Sequence, residues 1–484
     1  MLDFIQATDF YKTGHRAQMV PGTEYIYENF TARAPRIEGN DSVVFLGLQA
    51  VLKYDLTDLA NRTFFSRNRS DVLYDYQKMA DNCLGPGLDV RHIGALHDLG
   101  YLPLEFCALP EGTRVPYKIP MFTIENTHPE FAWVPGYLET LVSSRLWLPC
   151  TSATTAYRYR KLLDHWCEVT HGDPEFTQWQ GHDFSFRGMG SPEAAVLSGI
   201  GHLLSFRGTD TIPAIKLLRD CYNGEGLIGG SVPATEHMVM CLGGRETERT
   251  TFRRLLGLYP KGVVSVVSDT WDLWYVITQT LPTLKKEIMK RDGKLVIRPD
   301  SGDPVLIITG DESQPYNSPA RKGVVELLWD IFGGTINDKG FKQLDSHIGT
   351  IYGDSITEER ARQICERLAA KRFASPNIVF GIGSYTYQHV TRDTHGFAIK
   401  ATWAKVNGQE RSLFKDPITD SGTKRSARGR LAVLYVNGHL SLVDGLDIKT
   451  QANLSQGNML QPVWRDGRFI KKWTWDEVKR NLKL

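Results

Sequence analysis

A chain of 484 residues is too long for one hydrophobic core and predicts two or three layers or domains. Its 57 basic and 55 acidic residues leave a net charge of +2, which argues against a general nucleic-acid or membrane-surface role; any basic function is local. Hydrophobic residues make up 41% and no apolar run is long enough to span a bilayer, while seven cysteines without a C-x-x-C pair point to reduced thiols in a cytoplasmic setting, not to a disulfide framework or zinc site.

The residues up to Asp9 lack a basic region followed by an apolar stretch, so no secretory signal is expected. Residues 9–15 place Asp9, Tyr11, Lys12 and His15 within one turn, by themselves a surface helix end. Over 20–125 short alternating strands are predicted, as at 24–30 and 104–110. The stretch 140–220 reads mostly helical, with candidates at 152–167 and 192–204. Within it, 182–188 sets Phe184, Phe186 and Arg187 ahead of a helix rich in Ala and Gly. Those rings are either core or a flat clamp for a planar heterocycle. Asp210 lies in a Gly turn, where it either caps a helix starting near Pro213 or faces a ligand. Gly229, Gly230 and Pro233 then describe a constrained loop that ends in Glu236 and His237. His237 is either a hydrogen-bonded structural residue or a group that donates, accepts or carries phosphate.

Four apolar runs follow, each with a polar tip. They occupy 262–269, ending in Ser268 and Asp269; 294–303, ending in Arg298, Pro299, Asp300, Ser301, Gly302 and Asp303; 347–355, with Gly353, Asp354 and Ser355; and 377–384, with Gly381, Gly383 and Ser384. Continuous apolar runs read as buried parallel strands. Helical patterns separate them at 271–291, near 322–332 and from Thr357 onward. This alternation predicts a parallel sheet covered by helices. Ligands of such sheets sit beyond the C-terminal strand ends. There Asp suits sugar hydroxyls or Mg²⁺, Arg suits phosphate, and Gly lets backbone N–H groups approach an anion. A phosphorylated sugar is the natural reading. The alternatives are an ion pair of Arg298 with the aspartates, and a glycine turn at 381–383 that only permits close packing. Arg392 stands near that turn as a charge partner. From 396 strands return, at 397–403 and 431–436, and Lys400, Lys415, Lys424 and Arg425 form either a solvated face or a pyrophosphate-binding wall. The divisions expected are 1–150, 151–390 and 391–484, with both strand-rich ends in one domain around a central barrel. Nucleotide P-loop, dinucleotide, zinc-protease and nucleophile-elbow signatures are absent.

In order, the motifs at 8–12, 182–188, 206–210, 231–237, 264–269, 297–302, 353–354, 381–393 and 414–417 resemble those of the nicotinamide phosphoribosyltransferases, across nearly the whole chain. The resemblance implies the type II phosphoribosyltransferase fold: an α/β class protein with an irregular α/β barrel and a strand-rich domain formed by both chain ends, in a homodimer with two shared sites. It implies reaction of nicotinamide with phosphoribosyl pyrophosphate, giving nicotinamide mononucleotide and pyrophosphate, with Mg²⁺ required and ATP hydrolysis coupled through a phosphohistidine. Carried over by position, Phe184 and Tyr11 of the partner subunit would sandwich the nicotinamide ring, Asp210 would accept from its amide, and Arg298 would lie near it. Asp300, Gly353 and Asp354 would hold the ribose; Gly383, Ser384 and Arg392 would hold the 5′-phosphate. Arg187 would face pyrophosphate and ATP, together with Arg33 of the partner subunit, Lys400 of the partner subunit and Lys415 of the partner subunit. His237 would be phosphorylated and oriented by Asp269, these two and Asp300 forming the catalytic set; the metal ligands stay unassigned. Ile382, Ser384 and Tyr385 replace a glycine-richer stretch and imply a phosphate cradle of different shape. A nicotinate phosphoribosyltransferase is the nearest rival, disfavoured because the Asp210 carboxylate would repel nicotinate. A non-catalytic nucleotide-binding dimer would have no need of His237, Asp300, Asp354 and Arg392 together.

Overall fold

The computed structural model describes residues 2–353, 355–415 and 427–483; Asp354, Asp416, Pro417, Lys424 and Arg425 lie outside the described residues. The chain forms two compact units. The first joins Met1–Thr154, Leu217–Gly224 and Thr391–Lys483; the second joins Thr155–Lys216 and Glu225–Val390.

The second unit is built on a parallel sheet. Its strands run in the order Gly208–Thr209, Gly181–Asp183, Ile378–Ile382, Ile348–Tyr352, Leu295–Arg298 and Val264–Val267. Ile348–Tyr352 and Val264–Val267 are buried along their whole length, which is why their sequences are mainly apolar, with only the small polar residues Thr350 and Ser265 among them, and carry no exposed polar face. Residues 230–235 hydrogen-bond to both edges of this sheet. Thr209 N donates to Gly230 O at 3.0 Å, and Thr235 N donates to Ser265 O at 3.0 Å. The sheet is thereby closed into a barrel, but irregularly, since Pro233 brings no N–H to the ladder.

The covering helices follow the sequence pattern with two modifications. The helix expected at 271–291 is Leu273–Tyr275, a π-helical turn Val276–Thr280, and Leu281–Met289. Pro282 cannot supply the N–H of a regular turn, and the wider π turn just before it absorbs the mismatch. The helix expected at 152–167 is the later part of Val134–Thr170, which runs on through Pro149. Glu358–Ala370 starts where Thr357 accepts a hydrogen bond from Arg360 N at 3.2 Å, and it buries Ala361, Ile364, Cys365 and Leu368.

In the first unit both ends of the chain share one antiparallel sheet. Thr23–Ala32 pairs with Phe397–Val406 on one side and Pro120–Asn126 on the other. Leu104–Ala108 and Gln461–Arg465 continue the sheet. Phe397, Phe30 and Phe122 stack across three neighbouring strands, with centroids 5.3 and 5.2 Å apart. The expectation of strands over 20–125 is incomplete. Leu48–Lys53, Arg69–Leu84 and Arg91–Leu99 are helices, and the π-helical turns Tyr54–Leu59 and Asn61–Phe65 disturb the 3.6-residue period of the first stretch, by which it would be recognised. Among the described residues no helix is long and apolar enough to cross a membrane.

Candidate active site

Parallel strands all point their C-terminal ends the same way, so the polar tips of the barrel strands converge. They surround a cavity of about 940 Å³. Phe184 follows Gly181–Asp183, Arg298 ends Leu295–Arg298 with Asp300 just beyond, Gly353 follows Ile348–Tyr352, and Gly383 and Ser384 follow Ile378–Ile382. Arg187, Asp210 and His237 complete the wall. Two glycines are required by close approach. A Cβ on Gly353 would stand 2.5 Å from Asp300 Oδ1, and one on Gly188 would stand 2.0 Å from Ser384 Oγ. Ile382 is buried in its strand, so this departure from a glycine-rich stretch points into the core.

Asp210 lines the cavity. Its side chain does not cap the following helix. Oδ1 accepts from His182 Nε2 at 3.0 Å and from Ser231 Oγ. Burial pushes this carboxyl up, but the bonds from His182 and Ser231 and the charges of His182 and Arg298 outweigh it and hold its pKa below the ordinary carboxylate value. Asp210 is therefore an anion at neutral pH. The Phe184 ring lies beside His182, with centroids 4.5 Å apart. Behind it, the fully buried Asp183 accepts from Ser185 N, Ser185 Oγ and Thr211 Oγ1 at 2.9, 2.6 and 2.7 Å, fixing the turn that presents Phe184. His202, also fully buried, is pushed down to about 4 by burial and stays neutral. Its Nε2 donates to Gly208 O at 2.9 Å and its Nδ1 accepts from Tyr387 OH at 2.7 Å, which ties the turn after Gly383 to the neighbouring strand. His182, Ser231, Asp183 and His202 were not singled out from the sequence. The pairing of His182 with Asp183 at a strand end was the available signal.

On the same wall, His237 Nε2 meets Asp269 Oδ1 at 3.2 Å. Asp269 Oδ2 accepts from Asp300 N at 2.8 Å and Ser301 Oγ at 2.6 Å. Asp269 is 5% exposed and His237 47%, so a buried carboxylate orients an accessible imidazole. With hydrogen on Nε2, the lone pair of His237 is on Nδ1. Arg298 Nη2 donates to Thr235 O at 2.8 Å, two residues before His237.

The remaining candidates belong to the first unit. Tyr11 is exposed on the short helix Phe10–Thr13. Arg33, Lys400 and Lys415 line a cavity of about 980 Å³ together with Lys118 and Arg428. Arg392 opens the 3₁₀ turn Arg392–Thr394 and meets Asp393 at 3.4 Å. Asp354 lies outside the described residues. Among the described residues no group of three or more His, Cys, Asp or Glu is arranged to hold a metal ion.

Two solved structures share this architecture. Nicotinate-nucleotide pyrophosphorylase from Pyrococcus furiosus superposes with a TM-score of 0.58 at 14% identity, covering 99% of this chain and 94% of that one. Human Nicotinic Acid Phosphoribosyltransferase gives 0.55 at 15% identity, covering 98% and 93%. The fold is that of the type II phosphoribosyltransferases. Sequence relatives narrow the class. The Nicotinamide phosphoribosyltransferase of Acinetobacter baylyi is 49% identical over 99% of this chain and 96% of its own length, and that of Xanthomonas campestris is 35% identical over 98% and 96%. The pattern of the Nicotinate phosphoribosyltransferase (NAPRTase) family matches residues 179–461, more than half of the chain, and the chain belongs to that family.

Proposed function

We propose that this protein is a nicotinamide phosphoribosyltransferase of NAD salvage, joining nicotinamide to the ribose of phosphoribosyl pyrophosphate with release of pyrophosphate. The observation that carries the choice of base is Asp210, a carboxylate kept charged beside the Phe184 ring. It accepts from an amide NH₂ and repels the carboxylate of nicotinate. Arg298 is the group that would favour nicotinate; one of its donors is taken by Thr235 O, and the Asp210 carboxylate sets its own charge against that of Arg298.

The ring nitrogen is a weak nucleophile, and C1 of the ribose gains positive charge as pyrophosphate leaves. Stacking on Phe184 aligns the ring. Asp300, Gly353 and Asp354 hold the ribose hydroxyls, and Gly383, Ser384 and Arg392 hold the 5′-phosphate. Arg187 stabilises the departing pyrophosphate. Mg²⁺ would suit this reading: such an ion needs only one or two carboxylates besides the substrate's phosphates, and Asp300, which lines the cavity, would supply one. When bound, it neutralises charge on the leaving group. ATP passes its γ-phosphoryl to Nδ1 of His237 and leaves as ADP; water later takes that phosphoryl group as phosphate. Asp269 selects the tautomer. The resulting dianion beside Arg187 strengthens the site for Mg²⁺ and polyphosphate.

The working form is a homodimer, in which this chain's Tyr11, Arg33, Lys400 and Lys415 serve the cavity of a second copy. The exposed ring of Tyr11 and the clustered cations support this. The unpaired cysteines suit a cytoplasmic setting. The test is to supply phosphoribosyl pyrophosphate with nicotinamide or nicotinate, with and without ATP, and identify the mononucleotide formed. Nicotinamide mononucleotide, formed faster with ATP, is expected; preference for nicotinate would overturn the reading.

A further inference from the structure

Tyr11 and Lys400 stand on separate stretches of chain, the helix Phe10–Thr13 and the strand Phe397–Val406. One carboxylate joins them. Glu139, near the start of helix Val134–Thr170, accepts a hydrogen bond from Lys12 Nζ and lies 3.9 Å from Lys400 Nζ. Lys12 is the next residue after Tyr11, and its Nζ lies 5.3 Å from the Tyr11 ring centroid. The same stretch of helix holds the arm twice more. Thr8 Oγ1 donates to Tyr137 O at 2.8 Å, and Thr140 Oγ1 donates to Asp9 Oδ2 at 2.6 Å. Residues 8–12 are thus fastened along residues 137–140.

Lys12 is 5% exposed, and burial alone would favour its neutral form. Its bond to Glu139 and the charge of that carboxylate outweigh burial, so it stays an ammonium. Buried ion pairs are a poor means of adding stability, but they fix geometry. Tyr11 itself is left 63% exposed. The arrangement is a ring on a fastened base, with the exposed Lys400 ammonium 3.9 Å from the carboxylate that Lys12 bonds.

We propose that Glu139 is a positioning residue: by holding Lys12 and Lys400 at once, it sets the spacing between the Tyr11 ring and the Lys400 ammonium that a base and polyphosphate must span in a second copy's cavity. This rests on the reading of Tyr11 and Lys400 as substrate-facing. Glu139→Gln keeps the size of the side chain and removes its charge. The Michaelis constants for nicotinamide and phosphoribosyl pyrophosphate should rise together by about tenfold, with kcat changed less than about twofold. Lys400→Ala in the Glu139→Gln background should add little to the rise in the phosphoribosyl pyrophosphate constant, because the two residues act as a unit. Unchanged Michaelis constants in Glu139→Gln, or independent multiplying effects of the two changes, would overturn the proposal.

Tyr11→Ala and Lys400→Ala alone separate the two levels. If these raise the Michaelis constants and Glu139→Gln does not, the positioning role falls and the functional reading stands. If neither raises them, the functional reading of the two residues falls as well. Should Glu139→Gln not fold, Lys12→Gln tests the same link from the other side: it should raise the constant for nicotinamide and leave that for phosphoribosyl pyrophosphate within about twofold. A Lys12→Gln enzyme with an unchanged nicotinamide constant would equally overturn the proposal.

Discussion

Asp210 is a carboxylate whose partners, His182 and Ser231, both bind the same oxygen and keep it ionised. Replacing it by Asn keeps the shape and removes the charge. Asp210→Asn should narrow the preference for nicotinamide over nicotinate by about 1.5–3 kcal/mol, the worth of a hydrogen bond to a charged group. The ratio of kcat/KM for the two bases measures this; an unaltered ratio would mean that another group reads the amide. A second carboxylate makes a prediction about stability. Burial, aided by the charge of Glu139 and opposed by Lys12 and Lys400, raises Glu28 from 4.5 to about 7. Between those values the folded chain holds a proton that the unfolded chain has lost, so stability falls as pH rises through the window and levels off above it. Glu28→Gln should flatten that fall, gaining at most roughly 3 kcal/mol on the wild type at high pH. Glu111 is raised to about 7 as well, chiefly by burial, so part of the slope should remain. Urea midpoints taken at about pH 5 and about pH 8 decide it, and parallel slopes for the two proteins would contradict the assignment. Of these contacts the sequence made little visible. Asp210 with His182 or Ser231, and Glu28 with Glu139, are pairs from distant stretches that meet only after the strands are aligned.

At the scale of elements, what could be read was whatever a single run of residues dictates. A strand covered on both faces is mainly apolar, so Leu295–Arg298, Ile348–Tyr352 and Ile378–Ile382 can be read from their sequences, together with the polar residues that end them. The segment that closes the barrel did not stand out, because Gly229, Gly230 and Pro233 read as a loop although its backbone pairs on both sides. The helical stretch over 48–65, interrupted by two π turns, has no steady period by which to be read. Two substitutions test element ends of different purpose. Thr357→Ala removes the cap of Glu358–Ala370 and should cost about 1 kcal/mol of stability with catalysis intact. Gly353→Ala drives a methyl against Asp300 Oδ1 and should do the reverse, raising the Michaelis constant for phosphoribosyl pyrophosphate with a small change in melting temperature. Thermal melts and steady-state kinetics on both variants separate the cases. Equal behaviour would mean that Asp300 is not held at the ribose.

For the whole molecule, the chain carries barrel residues in one unit and Tyr11, Arg33, Lys400 and Lys415 in the other. If copies exchange these parts, Tyr11→Ala chains, weakly active at substrate levels well below their raised Michaelis constants, and inactive Asp300→Ala chains should together regain up to about a quarter of wild-type activity on random mixing, because half of the dimers are mixed and each holds one intact site. No recovery after demonstrated subunit exchange would place each site within one chain. Transfer of phosphoribose to nicotinamide in preference to nicotinate is tested by a competition. Equal, limiting amounts of nicotinamide and nicotinate are offered together with phosphoribosyl pyrophosphate, Mg²⁺ and ATP, and the mononucleotides are separated and weighed. The product should be almost entirely nicotinamide mononucleotide, with one pyrophosphate per molecule. A mixture dominated by nicotinate mononucleotide, or no mononucleotide at all, would contradict it.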